Sequence, residues 1–135
     1  EPIVIHRSSV GAIESTMAFL IEHYAGAFPV WLAPVQVVII PVADRHIEYA
    51  GKLEAALRNK DIRVKVDARS ERMNQKIRQA QLEKVPYMVV VGDKEVEAAS
   101  ISVRLRSGEQ LPAQSMDSFV ETVSRLIACR SKDLV

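Results

Sequence analysis

Two apolar runs, each the length of one strand and neither alternating with polar residues, leave few folds open to this chain. One is Val35–Val42, with Val37, Val38, Ile39 and Ile40 at its centre; the other is Tyr87–Val91. A strand that faces water on one side alternates, so runs this continuous belong to strands buried on both faces, as in parallel sheets covered by helices. A third run, Ile62–Val66, does alternate: Arg63 and Lys65 interleave with Ile62, Val64 and Val66. It has a polar face and belongs nearer an edge. A basic segment of helix length, 71–84, separates it from Tyr87–Val91. Ile62–Glu95 therefore reads as strand, helix, strand.

The remaining segments fit around this unit. Residues 2–6 read as a short strand, and Ser8 or Ser9 as the cap of a helix with Glu14 in its early turns. Ile13, Met17, Leu20, Ile21 and Tyr24 recur at helical spacing, and Gly26 ends that helix. The proline-containing segment AFPVWLAPVQ reads as a linker, with a domain boundary near residues 28–34. Asp44 caps a helix that turns Ile47, Ala50, Leu53 and Leu57 to a core. Ser70 caps the next, with Met73, Ile77 and Ala80 inward and Arg72, Lys76 and Lys84 off that face; Pro86 stops it. Residues 95–97 and 101–106 read as two short strands joined by Ala98-Ala99-Ser100, and Ser115 caps a closing helix carrying Phe119, Val120, Val123, Leu126 and Ile127. The expectation is an α/β fold: a mixed, mostly parallel sheet of about five strands flanked by helices, antiparallel near 95–97, with right-handed crossovers.

At 135 residues, one domain with an appendage is expected. The net charge of +1 names no partner, but Asp61–Arg106 holds ten Lys+Arg against seven Asp+Glu, leaving the rest of the chain negative. The single cysteine, Cys129, rules out an internal disulfide and fits a reducing compartment, the cytoplasm. No apolar run approaches the ~20 residues of a membrane span. The chain enters at once, without Met or a signal peptide, on EPIVIHR, which reads as the middle of a larger protein.

Catalytic patterns are missing. Gly92-Asp93-Lys94 lacks the glycine-rich loop and Lys-Ser/Thr pair of a P-loop, and no G-x-G-x-x-G follows Val35–Val42. His6, His23 and His46 have no metal-ligand spacing. What remains is polar residues at strand ends, where open α/β sheets bind ligands. Arg104 can pair bidentately with a base edge or a phosphate, Glu95 can accept from a base N–H, and Arg69, Lys76, Lys94 and Arg106 can hold phosphates. Single-stranded RNA is read this way, by hydrogen bonds to splayed bases plus backbone charge. The plainer reading is a solvated charged face with intrachain pairs involving Asp93.

The runs WLAPVQVVIIPVADRH, IRVKVDARSERMNQKIRQAQLEKVPYMVVVGDKEVE and SVRLRSGE closely resemble the C-terminal anticodon-binding domain of bacterial-type threonyl-tRNA synthetases. The opening W-L-A-P-x-Q-V, the K-I-R-x-A-Q-L-x-K-x-P-Y segment and V-V-G-D-K-E are long and specific; histidyl, prolyl and glycyl relatives share the fold but not this wording. The resemblance covers almost the entire chain. It implies that residues 1–30 are the end of a class II catalytic domain, with its third class motif, and that residues 31–135 are the anticodon-binding domain. Those synthetases read the second and third anticodon bases with a Glu and an Arg that fall on Glu95 and Arg104. A third reader, commonly Asn, falls on Ser70, which lacks the paired donor and acceptor of an amide.

The resemblance further implies a function: binding the anticodon stem-loop of threonine tRNA within an ATP-dependent threonine–tRNA ligase. Neither DNA nor a membrane is an expected partner. The fragment alone should be inactive, metal-free and monomeric, while the parent would be a homodimer using zinc, ATP and magnesium. His6 falls on one zinc ligand of that parent. Ser15 falls where the third motif normally carries an Arg that contacts ATP. Because Ser15 and Ser70 both depart from the pattern of active enzymes, an alternative is a non-catalytic protein-interaction or accessory module derived from a synthetase.

Overall fold

The computed structural model describes residues 1–135. Ten elements occur along the chain: helix α1 (Ile13–Tyr24), strand β1 (Val37–Pro41), a 3-10 turn (Asp44–His46), α2 (Ile47–Arg58), β2 (Val64–Val66), α3 (Met73–Leu82), β3 (Tyr87–Val91), α4 (Asp93–Glu97), β4 (Ser102–Leu105) and α5 (Met116–Ala128). The sheet order is β2-β1-β3-β4. β1 runs parallel to both β2 and β3, with Val37 level with Val64 on one side and Tyr87 on the other. β4 is antiparallel to β3, placing Arg104 opposite Met88 and Ser102 opposite Val90.

The two continuous runs occupy the interior positions, and every residue of β1 is buried. Their side chains alternate between two cores. Val37, Ile39, Val89 and Val91 meet α2 and α5 through Ala50, Leu53, Leu57, Phe119, Val123 and Leu126. On the other face, Val38, Ile40 and Met88 meet Ile77 and Ala80 of α3. Burying apolar surface on both faces is what excludes polar alternation from these strands. The alternating run forms edge strand β2, as its pattern requires.

The α/β, mostly parallel sheet stands, with four strands rather than about five. Residues 95–97 are not a strand: they finish the one-turn helix α4, and the antiparallel strand is β4. Residues 109–114 run irregularly along the outer edge of β4. There the Leu105 N–H donates to the Glu109 carbonyl, the Leu111 N–H to Val103, and Ile101 and Gln114 exchange two bonds. This covers an edge that would otherwise expose unpaired backbone groups.

Several caps also differ. Ser115 does cap α5, its Oγ accepting from the Ser118 N–H at 3.2 Å. Ser70 caps nothing: α3 begins after Arg72, whose side chain makes no capping bond. Asp44 lies inside the 3-10 turn, and the local side-chain bond there is the Ala43 N–H donating to His46 Nδ1. Ser8 Oγ accepts from Gly11, outside α1. Residues 2–6 form no strand and are exposed.

α1 contributes no buried residue, and Ile13, Met17, Phe19 and Ile21 are all more than half exposed. The linker after it is held differently, by basic side chains from the sheet body. Lys84 Nζ donates to the Ala25 carbonyl. Arg106 donates to the Phe28 carbonyl at 2.5 Å. Arg63 donates through Nε and one terminal nitrogen to Ala33 at 2.9 and 2.8 Å, and to Trp31 at 3.2 Å.

Candidate nucleic-acid interface

Three turns leave the carboxyl ends of β1, β2 and β3 side by side, and β4 enters from the same end. The turn after β2 carries Asp67, Arg69 and Ser70. Asp67 is buried, and Arg69 grips it with two bonds of 2.8 Å, from Nε to Oδ1 and from a terminal nitrogen to Oδ2. The hydrogen bonds from Arg69 hold the Asp67 carboxyl below its ordinary range, against the opposing effect of burial; the nearby Lys76 charge acts in the same direction as Arg69. Ser70 is exposed and its hydroxyl has no hydrogen-bond partner in the protein.

Lys76 does not lie off the buried face. It is only 5% exposed, and its ammonium donates to the Pro41 carbonyl at the end of β1 (3.3 Å). The structure gathers Arg69, Ser70 and Lys76 with Val42, Ala43 and Glu71 around one cleft of about 250 Å³. This is the crevice outside the strand ends that open α/β sheets use for ligands.

Glu95 and Lys94 lie past the carboxyl end of β3, whereas Arg104 stands on β4 opposite Met88, toward the other end of that strand. Glu95 and Lys94 project from the single turn of α4. The Gly92 N–H donates to Glu95 Oε2 (2.9 Å), folding the carboxylate over the turn. Lys94 is exposed and outside every ion pair. Arg104 sits two residues down β4 from Ser102, about 7 Å along the strand. It shares a face with Met88, which is buried against Val38, Ile40, Ile77 and Ala80. Val90 is the one residue of β3 that is only half-buried. Arg104 is half-buried too, and its guanidinium enters no ion pair and no side-chain hydrogen bond. The turns after β2 and β3 are separated by that of β1 and so stand roughly 10 Å apart, two strand spacings.

Gln110 and Arg45 were not singled out from the sequence. Gln110, paired across from Arg104, donates its amide to Ser102 Oγ (3.1 Å). Asp93 binds Arg45 at 2.9 and 2.6 Å and His46 Nε2 at 2.7 Å. These bonds, Arg45's first, hold the Asp93 carboxyl far below the usual range. Arg106 is engaged by the linker, and burial lowers its pKa. His6 lies in an exposed segment, Ser15 is exposed on α1, and no group of three metal-ligating side chains occurs.

A surface of this kind offers a planar cation and an acceptor on neighbouring elements, and it contains no nucleophile–base pair. Comparison with known proteins identifies a family. A family model described as "Anticodon binding domain" matches residues 36–126. The threonine–tRNA ligase of Dehalococcoides mccartyi strain 195 is 61% identical over 124 residues, which are 92% of this chain and 21% of that protein. That of Thermotoga neapolitana is 46% identical over 132 residues, 98% of this chain and 21% of the relative. The crystal structure of the RNA-binding domain of threonyl-tRNA synthetase from Cryptosporidium parvum Iowa II superposes with a TM-score of 0.80 at 30% identity, covering 89% of this chain and 30% of that one. The chain thus spans about a fifth of the length of the curated relatives it matches. It belongs to the anticodon-binding domain family, in the form carried by threonine–tRNA ligases.

Proposed function

We propose that this chain binds the anticodon stem-loop of threonine tRNA on the strand-end surface, as the anticodon-binding part of a cytoplasmic, homodimeric, ATP-dependent threonine–tRNA ligase. The observation that carries this reading is Arg104: a half-buried guanidinium on edge strand β4 that enters no ion pair and no side-chain hydrogen bond within the protein. Its donors are free of protein partners and can meet a base edge or phosphate in bidentate geometry. Glu95 supplies the acceptor, and Lys94 a charge for phosphates. Ser70, Arg69 and Lys76 border the neighbouring cleft, where Ser70 offers a hydroxyl to a base. Arg69 and Lys76 already have protein partners there, so their part is to shape and charge the cleft.

Residues 31–135 are then the binding module, and residues 1–30 the end of a class II catalytic domain. Zinc, ATP and magnesium belong to that catalytic part of the ligase. His6 alone does not fit a zinc site, which needs three or four ligands, and Ser15 offers an ATP phosphate no cation. No step of the proposed binding passes through a metal or nucleotide.

The test is binding of the threonine tRNA stem-loop to the chain, with wild type set against Arg104→Ala and Glu95→Ala. Each variant should lose about 1–3 kcal/mol of discrimination at one anticodon base. Unchanged discrimination at the second and third bases would sink the assignment. A protein partner that co-purifies while tRNA fails to bind would favour the accessory-module reading.

A further inference from the structure

The segment that carries Glu95 and Lys94 is not held by packing. α4 has one turn and no buried residue. Its position rests on polar ties at both ends, and those ties come from one place, the 3-10 turn and first turn of α2 after β1. At the near end, Arg45 forks onto Asp93 at 2.9 and 2.6 Å. His46, 2% exposed, reaches the same carboxylate at 2.7 Å. The His46 tautomer follows from its other nitrogen. Nδ1 faces the Ala43 N–H (3.1 Å), which can only donate, so Nδ1 accepts and Nε2 carries the proton given to Asp93. At the far end, the Tyr49 hydroxyl donates to the Ser100 carbonyl at 3.2 Å. Between the two ties, the Gly92 N–H fixes the Glu95 carboxylate on its own turn.

We propose that Arg45, His46 and Tyr49 are positioning residues for Glu95, setting where its carboxylate stands over the sheet end without themselves touching RNA. This rests on the reading of Glu95 as a base reader. A contact that discriminates between bases depends on distance and angle within a few tenths of an ångström. A one-turn helix without buried side chains cannot keep that tolerance alone. The stem of α2 can, because Ala50, Leu53 and Leu57 anchor it in the core. The sequence stretch Asp44-Arg45-His46-Ile47-Glu48-Tyr49 therefore acts in base discrimination through a neighbouring turn.

The experiment is a double-mutant cycle on the whole chain. The probes are an RNA hairpin bearing the threonine anticodon and two copies altered at its second or third base, at one salt concentration. Glu95→Ala identifies the base whose identity it reads, and Arg104→Ala the other. Tyr49→Phe removes one hydrogen bond without changing shape, and Arg45→Ala alters an exposed side chain, so each is checked by thermal melting to be folded. Each should lower preference at the Glu95 base about fivefold and leave the Arg104 base unchanged. In the Glu95→Ala background, Tyr49→Phe should have no further effect. Equal losses at both bases, additive losses in the double variant, or no loss at all would overturn the inference while leaving Glu95 as a reader. If Glu95→Ala itself changes neither preference, the base-reader assignment falls and this inference with it.

Discussion

Single residues on this surface have either a partner or a vacancy, and chemistry separates the two. Asp67 has a partner. Its carboxyl titrates below the ordinary ~3.9 because Arg69 hydrogen-bonds the charged form. A lowered folded value means the pair's stabilisation is complete above the unfolded pKa and is lost as pH falls through the folded one. The melting temperature of Asp67→Asn should therefore lie below wild type at pH 6, and the gap should close toward pH 2; a gap that persists in acid would show that the charge is not its source. Legibility followed the same division. Arg104 and Glu95, which have few protein partners, are proposed from their chemistry and from resemblance. Lys76 was misjudged because helical spacing marks direction but not reach: a four-carbon stem can run through apolar surroundings to a distant carbonyl. Gln36 escaped notice inside an apolar run. It is buried there, donating to the Val30 carbonyl and accepting from the Arg63 N–H, both at 2.8 Å, so it binds linker to sheet.

Among elements, the strands were legible from burial pattern and the helix ends were not. Gly26 was expected to end α1, yet Ala25 already takes the left-handed conformation there. Asp61, Lys84, Ala99 and Arg130 do the same after α2, α3, α4 and α5. A left-handed residue after a helix is usually glycine, since other side chains meet the following carbonyl. Asp61 has the largest positive φ among them, 57°, and Ile62 closes its turn with a bond to the Leu57 carbonyl. Asp61→Gly should stabilise the chain by about 0.5–1 kcal/mol in urea unfolding with an unchanged m-value. The misread strand at 95–97 has a related cause. Three residues cannot reveal a period, and the first turn of α4 depends on the Gly92–Glu95 bond rather than on apolar spacing.

Across the whole molecule, the excess of positive charge in Asp61–Arg106 proves to be divided between two tasks. Arg63, Lys84 and Arg106 face the linker's carbonyls, while Lys94 and Arg104 enter no ion pair. Counting charges along the sequence cannot separate these tasks, because the linker's position is set by tertiary contacts. Salt titration can. If Lys94 meets a phosphate, Lys94→Gln should reduce the slope of log affinity for the stem-loop against log salt by about 0.7, the value for one contact on single-stranded RNA. Arg106→Gln should leave that slope unchanged and lower the melting temperature. The reverse pattern would exchange the two assignments.

Because α1 buries nothing whereas β1 and β3 are enclosed on both sides, amide protons divide the chain into two clocks. Those of α1 should exchange with deuterium through fraying alone, and those of the inner strands only when the whole sheet opens. The crossing from fast to slow should fall within residues 25–36, where carbonyls of the linker meet Lys84, Arg106, Arg63 and Gln36.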